Sequence, residues 1–177
     1  MFITTLAVIA IIVAVFVAIV AMRPSEFRIE RSAAMSAPVP AVFAHVNDLH
    51  KWQAFSPWAK MDPSAKNTFS GPLDGVGAVF EWAGNRQVGQ GRMTIVESRS
   101  NELIRFRLDF LKPFAATNTA VFTFKPDGDQ TVVTWSMSGR SNFMFKAMGL
   151  FMNCDKMVGG QFEQGLANLK LIVETKG

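Results

Sequence analysis

The chain has no tyrosine, one cysteine and two histidines among 177 residues. Without tyrosine, no phenol can serve as a general acid. The single Cys154 permits neither an intramolecular disulfide nor a thiolate zinc site, and its ordinary role is that of a small buried apolar side chain. His45 and His50 stand five positions apart, off the three- or four-residue step that shares a helix face, and no H-E-x-x-H accompanies them. No metal site and no cofactor are expected. Gly75-x-Gly77 and Gly89-x-Gly91 lack the following helix and the Lys-Ser/Thr pair of a phosphate cradle, so they read as strand-end turns. Lys and Arg total 18 against 14 Asp and Glu, a net charge of +4, but they are scattered. Nucleic-acid binding needs a patch, and none is expected here.

What is present begins with an apolar run. Residues 2–22 carry no charged side chain and only two polar ones, Thr4 and Thr5, and about 20 such residues cross a bilayer core as a helix. A cleaved signal peptide is the rival reading. It normally has a basic start and a small-x-small cleavage site, whereas MFITT has no Lys or Arg and the run ends Val20-Ala21-Met22-Arg23. An uncleaved anchor over 1–22 is therefore expected, followed by a linker at 23–26 and one domain over 27–177. Arg23, Arg28 and Arg31 follow the span and no cation precedes it. That bias predicts a single-pass protein with its domain on the cytoplasmic side, with the periplasmic or extracellular side as the alternative.

After the linker, Phe27-Arg28-Ile29-Glu30-Arg31 alternates like a strand. Ser36 precedes Pro38 and Pro40 as a candidate helix cap, and Val42, Phe43 and Val46 form the inner face of a short helix. Asn47-Asp48 interrupts it. The aromatic cluster Trp52, Phe55 and Trp58 comes next; Pro57 stops any helix there, and two short helices joined by a break explain the spacing. From Asn67 to Ser138 the pattern is strand and turn: Phe80 and Trp82; Met93 and Ile95; Ile104, Phe106, Leu108 and Phe110; Ala120, Phe122 and Phe124; Val133, Trp135 and Met137. Each run has one apolar and one more polar face, as in an antiparallel sheet covered on one side. Arg105, Arg107 and Glu81 fall on the opposite parity and should face solvent.

The stretch 142–174 reads as one long helix. Met144, Met148, Phe151, Val158, Phe162, Leu166, Leu169 and Val173 follow one another at helical steps on a single stripe. Asp155 interrupts that stripe. It either caps a second helix start together with Asn153, the preferred reading, or faces an apolar cavity with a raised pKa. Gly159-Gly160 marks a kink nearby, and the expected joint separates a looser half, Met144 to Met152, from a firmly packed half, Phe162 to Val173.

The ordered set Val46-x-Asp48, Trp52, Ser56-Pro57-Trp58, Gly71-Pro72 to Gly77, Trp82-x-Gly84-Asn85, Gly89-x-Gly91, Thr134-Trp135-x-Met137-x-Gly139 and Phe162-x-x-Gly165-Leu166-x-x-Leu169-Lys170 resembles the polyketide cyclase/dehydrase and lipid-transport family. That family lies in the START-like (SRPBCC, helix-grip) superfamily, and the resemblance covers about 27–174. It implies an α+β helix-grip fold: a curved antiparallel sheet wrapped around the C-terminal helix, two short helices closing one end, and an apolar cavity between. Trp52, Trp58, Trp82, Phe106, Phe110, Phe122, Trp135, Met148, Phe151 and Met152 are the lining expected from that picture, although the same residues would also make a solid core. No catalytic constellation is visible; Asp155 and His50 are the candidates an enzyme would have to use. The expected function is a membrane-anchored module that binds or transports a lipid-like or polycyclic apolar guest. A cyclase/dehydratase-type enzyme and a ligand-free interaction or stress-associated domain are the alternatives. The sequence implies no particular oligomeric state.

Overall fold

The computed structural model describes residues 2–175, with side chains from Thr4 onward; Lys176 and Gly177 of the expected domain lie outside the described residues. The apolar run forms one helix, α1 (Phe2–Met22). Its stretch Thr4–Met22 has a mean hydropathy of 3.1 and is long and apolar enough to cross a membrane, as a span or as a signal sequence. After three intervening residues the chain enters β1 (Glu26–Met35).

Helices α2 (Val39–Asn47), α3 (Leu49–Phe55) and α4 (Pro57–Met61) follow, one more than the two expected. Pro57 both ends α3 and starts α4, because a proline in a first turn forfeits no intrahelical bond. Pro38, not Ser36, is the N-cap of α2, and no side chain caps that helix; the Ser36 backbone N–H instead donates to Glu174 at 2.6 Å. Asp48 ends α2 and caps α3 by accepting from the His50 N–H.

Six strands come next: β2 (Lys66–Ser70), β3 (Val79–Ala83), β4 (Gln90–Arg99), β5 (Leu103–Lys112), β6 (Ala116–Asp127) and β7 (Gln130–Arg140). With β1 they make a seven-stranded antiparallel sheet in the order β1-β7-β6-β5-β4-β3-β2. Register shifts in the β4–β5 pair at Gln90/Gly91 and Ile95/Glu97 supply the local bends that a curved sheet needs. The strand faces follow the parity read above: Phe106, Phe122, Ile95 and Val133 are fully buried, while Arg105 pairs with Glu97 at 2.7 Å on the outer face.

The C-terminal stretch is two helices, not one. α5 (Phe143–Met148) ends at Gly149, and α6 (Cys154–Glu174) starts after Asn153, whose side chain accepts from the Lys156 N–H. The joint therefore lies at 149–153, upstream of Asp155, and α6 runs unbroken through Gly159-Gly160. On α6 the buried positions Phe162, Leu166, Leu169 and Val173 form the stripe that the sheet grips. Each such side chain contributes roughly 1.5–3 kcal/mol on burial, so this half of the helix is held by packing.

Candidate functional site

Between the sheet and the first turns of α6 the packing is incomplete, and a cavity of about 300 Å³, open at one end, remains. One wall is the inner face of β3, β5, β6 and β7, carrying Trp82, Leu108, Phe110, Ala120, Trp135 and Met137; Val158 and Phe162 of α6 face it. Trp52, Ser56 and Trp58 close the inner end. The rim is made by the β3–β4 turn at Gln87 to Gly89 and by Lys112-Pro113 after β5.

Trp135 is the hub of this site. It stacks on Phe162 with centroids 4.3 Å apart and an interplanar angle of 10°, and on its cross-strand neighbour Phe122 at 4.7 Å. Trp52 and Trp58 meet it edge-on at 5.4 and 5.9 Å, the geometry that aromatic quadrupoles favour. Gly165 makes the helix side of this stack reachable, since a Cβ there would lie 2.7 Å from the Trp135 ring. The Trp135 indole N–H is buried and makes no hydrogen bond to any described residue. Trp82, by contrast, donates its indole N–H to the Val88 carbonyl at 3.2 Å. Ser56 is a second polar feature: it occupies the N-cap position of α4 yet makes no side-chain capping bond, and it lines the cavity.

Of the residues expected to line a cavity, Trp52, Trp58, Trp82, Phe110 and Trp135 are brought together around it. Phe106 and Phe122 share their face but are wholly buried in the solid core beyond the cavity's inner end. Met148, Phe151 and Met152 lie elsewhere, because the break at 149–153 turns α5 away from the sheet. Phe151 is 81% exposed, and Phe151 and Met152 border a separate open cleft of about 680 Å³ beside Arg23 and Glu26. Strand parity could have pointed to Leu108 and Met137, which share the inner face with the chosen aromatics; Ser56 carries no such signal.

Neither candidate acid or base faces the cavity. Asp155 accepts from Arg31 Nη2 at 2.9 Å, and Glu163 takes the same guanidinium's Nε at 2.6 Å. A Cβ on Gly159 would fall 2.1 Å from Arg31 Nη2, so Gly159 is the bed on which this arginine crosses the helix, while Gly160 faces open space and neither kinks α6. The hydrogen bond from Arg31 holds the Asp155 carboxyl below its ordinary value of 3.8, the reverse of the rise that an apolar cavity would cause. His50 is exposed, stacks on Phe69 at 4.3 Å and lies beside Asp48. Lys112 at the rim is the one ionisable side chain of the lining among the described residues. No group of three or more His, Cys, Asp or Glu residues close enough to hold a metal ion occurs among the described residues.

Similar folds occur in solved structures of low sequence identity. Protein CV1439 from Chromobacterium violaceum matches with a TM-score of 0.60 at 16% identity, over 86% of this chain and 99% of its own. The Aha1 dimer from Colwellia psychrerythraea matches with a TM-score of 0.60 at 14% identity, over 84% and 96%. The di-domain ARO/CYC StfQ of the steffimycin biosynthetic pathway matches with a TM-score of 0.61 at 11% identity, over 86% of this chain and 52% of its own. At such identities the likeness speaks for the fold alone. No curated protein matches the sequence significantly. The sequence profile of one family, described as polyketide cyclase / dehydrase and lipid transport, matches residues 26–174, and with the helix-grip architecture now in place the chain belongs to that family.

Proposed function

We propose that the protein is a membrane-tethered binding module for a single apolar or weakly amphiphilic small molecule, held without chemical conversion. The observation that carries this reading is the aromatic cavity of about 300 Å³, lined as small-molecule sites are, by apolar and aromatic side chains with few polar groups. Its volume stands at the lower end of the roughly 300–1,000 Å³ typical of such sites, which favours a polycyclic or single-chain guest over a two-chain lipid. Ser56 inside and Lys112 at the rim offer a hydroxyl to one end of the guest and a cation to the other. Residues 2–22 serve as the anchor, with the domain on the cytoplasmic side because Arg23, Arg28 and Arg31 follow the span.

Catalysis of the cyclase or dehydratase kind, which the family description includes, needs an acid or base within reach of the guest. Asp155 is committed to Arg31 and His50 to the outer surface. Binding alone is therefore the simpler reading.

The test is native mass spectrometry of the full chain extracted in detergent. A bound apolar molecule that disappears when Leu108→Phe and Met137→Phe are combined to fill the cavity is the expected result. An unliganded protein that also fails to take up added polycyclic or single-chain amphiphiles would end the proposal. Resistance of the protein to carbonate extraction from membranes tests the anchor separately, and a reporter fused to the C-terminus tests its sidedness.

A further inference from the structure

The helix α5 is unusual in having no buried residue, although it is largely apolar. Phe143 is 50% and Met144 54% exposed, and the turn that follows leaves Phe151 81% and Met152 44% exposed. The end of β5 adds Leu111 and the β5–β6 turn adds Phe114, at 54% and 45% exposed. The two segments are one surface, because the Phe114 ring meets the Phe145 ring edge-on at 5.9 Å. Contiguous exposed apolar surface of this kind marks an interaction site rather than ordinary scatter.

The position of this surface relative to α1 identifies what covers it. α1 packs against α5, and Val20, in the last turn of α1, is fully buried while most of α1 is exposed. α5 thus stands at the level where the apolar run ends. The connection is short: Arg23, Pro24 and Ser25 alone separate α1 from β1, and the Ser141 N–H donates to the Ser25 carbonyl at 2.7 Å. The face cannot swing away from the end of α1. Its charges have one dominant sign. Residues 141–154 and 111–116 contain no Asp or Glu but include Lys112 and Lys146, and Arg23 joins Lys146 in the adjoining cleft, where Glu26 is the acidic residue.

We propose that this face, α5 with the 149–152 turn and the tip of the β5–β6 turn, lies in the headgroup layer of the bilayer that α1 spans. Phe143, Met144, Phe151 and Phe114 enter the boundary with the acyl chains, and the surrounding cations meet anionic lipid, as interfacial helices do. The inference rests on α1 being a retained anchor. It deepens the proposed function, because Lys112 and Pro113, which form the cavity rim, immediately precede Phe114. The mouth of the cavity then opens at the lipid surface, and a guest passes between bilayer and cavity without crossing water.

Single spin labels on the full chain in nanodiscs of phosphatidylcholine and phosphatidylglycerol test this, in a Cys154→Ser background. Labels are placed through Phe143→Cys and Phe151→Cys on the face, Val13→Cys in α1, and Asp129→Cys at the opposite end of β6. The readout is the ratio of collision with oxygen, which partitions into lipid, to collision with a water-soluble nickel chelate. The expected result is a ratio several-fold higher at 143 and 151 than at 129, approaching that at 13. A lipid-like ratio at 13 with water-like ratios at 143 and 151 overturns the proposal and leaves the anchor standing. Dipolar coupling between labels at 151 on two copies, with both collision rates low, overturns it in favour of a dimer. A water-like ratio at 13 removes the anchor and the proposal together.

Discussion

The two ends of the groove between sheet and α6 are built from the same kinds of residue and are packed differently. At the end formed by Phe162 to Val173, Leu166, Leu169 and Val133 are at most 2% exposed, and the core is continuous. At the end formed by Val158, Leu108 and Met137 the sheet and helix stand apart around the cavity. There the helix is fastened from outside, by Arg31 of β1 reaching Asp155 and Glu163 across Gly159. One end of α6 is thus held by continuous buried area, whereas the other packs around a cavity and carries in addition a partly exposed ion-pair cluster on its outer side.

The comparison breaks most visibly under truncation. Leu169→Ala at the solid end should cost about 2–5 kcal/mol, the usual range for a buried leucine. Met137→Ala at the hollow end should cost clearly less, because part of its surroundings is already empty. Chemical denaturation of the two variants measures the difference, and equal losses would mean that the cavity is closed in solution. Enlargement gives the complementary contrast: Val133→Phe should cost about 1–3 kcal/mol by overpacking, whereas Leu108→Phe should change stability by less than about 1 kcal/mol and reduce guest binding.

Acid sharpens the same comparison at its charged fastening. The folded-state pKa of Asp155 is depressed from 3.8, so its contribution to stability is complete above that value and is lost as pH falls through the lower folded value. Replacing Arg31 by Met should lower the denaturation midpoint at pH 7, and the gap from the parent chain should narrow below about pH 3.8. Amide exchange in the first turns of α6 should rise in the variant while exchange around Leu169 stays unchanged. The smallest expected effect belongs to His50→Ala, which should leave guest binding unaltered and stability within about 0.5 kcal/mol, as for most surface substitutions.

Much of this architecture is legible in the sequence, for identifiable reasons. Alternation fixes which strand residues face inward, and the resemblance orders the elements. The period of 3.6 likewise identifies Phe162, Leu166, Leu169 and Val173 as the gripped stripe. Depth along a strand leaves no such trace: Phe106 and Phe110 have the same parity, yet one is solid core and the other lines the cavity. The stripe from Met144 to Phe151 continues the helical period, and only the capping role of Asn153 and the turn at Gly149 break it. The place of Asp155 in the first turn of a helix capped by Asn153 follows the preferred reading; its ion pair with Arg31 does not, because that partner lies 124 residues away and no local pattern announces an arginine crossing a glycine. Gly159-Gly160 signals weak helix by propensity, but tertiary contact decides the outcome there.

The cavity also gives the protein an optical property. All four tryptophans of the chain line it, and there is no tyrosine, so near-ultraviolet emission arises from indoles at that one place. A guest carrying a heavy atom should quench this emission, and a guest absorbing in the same range should accept energy from it. The unlabelled protein is in this way its own occupancy meter, with a signal free of contributions from the rest of the fold.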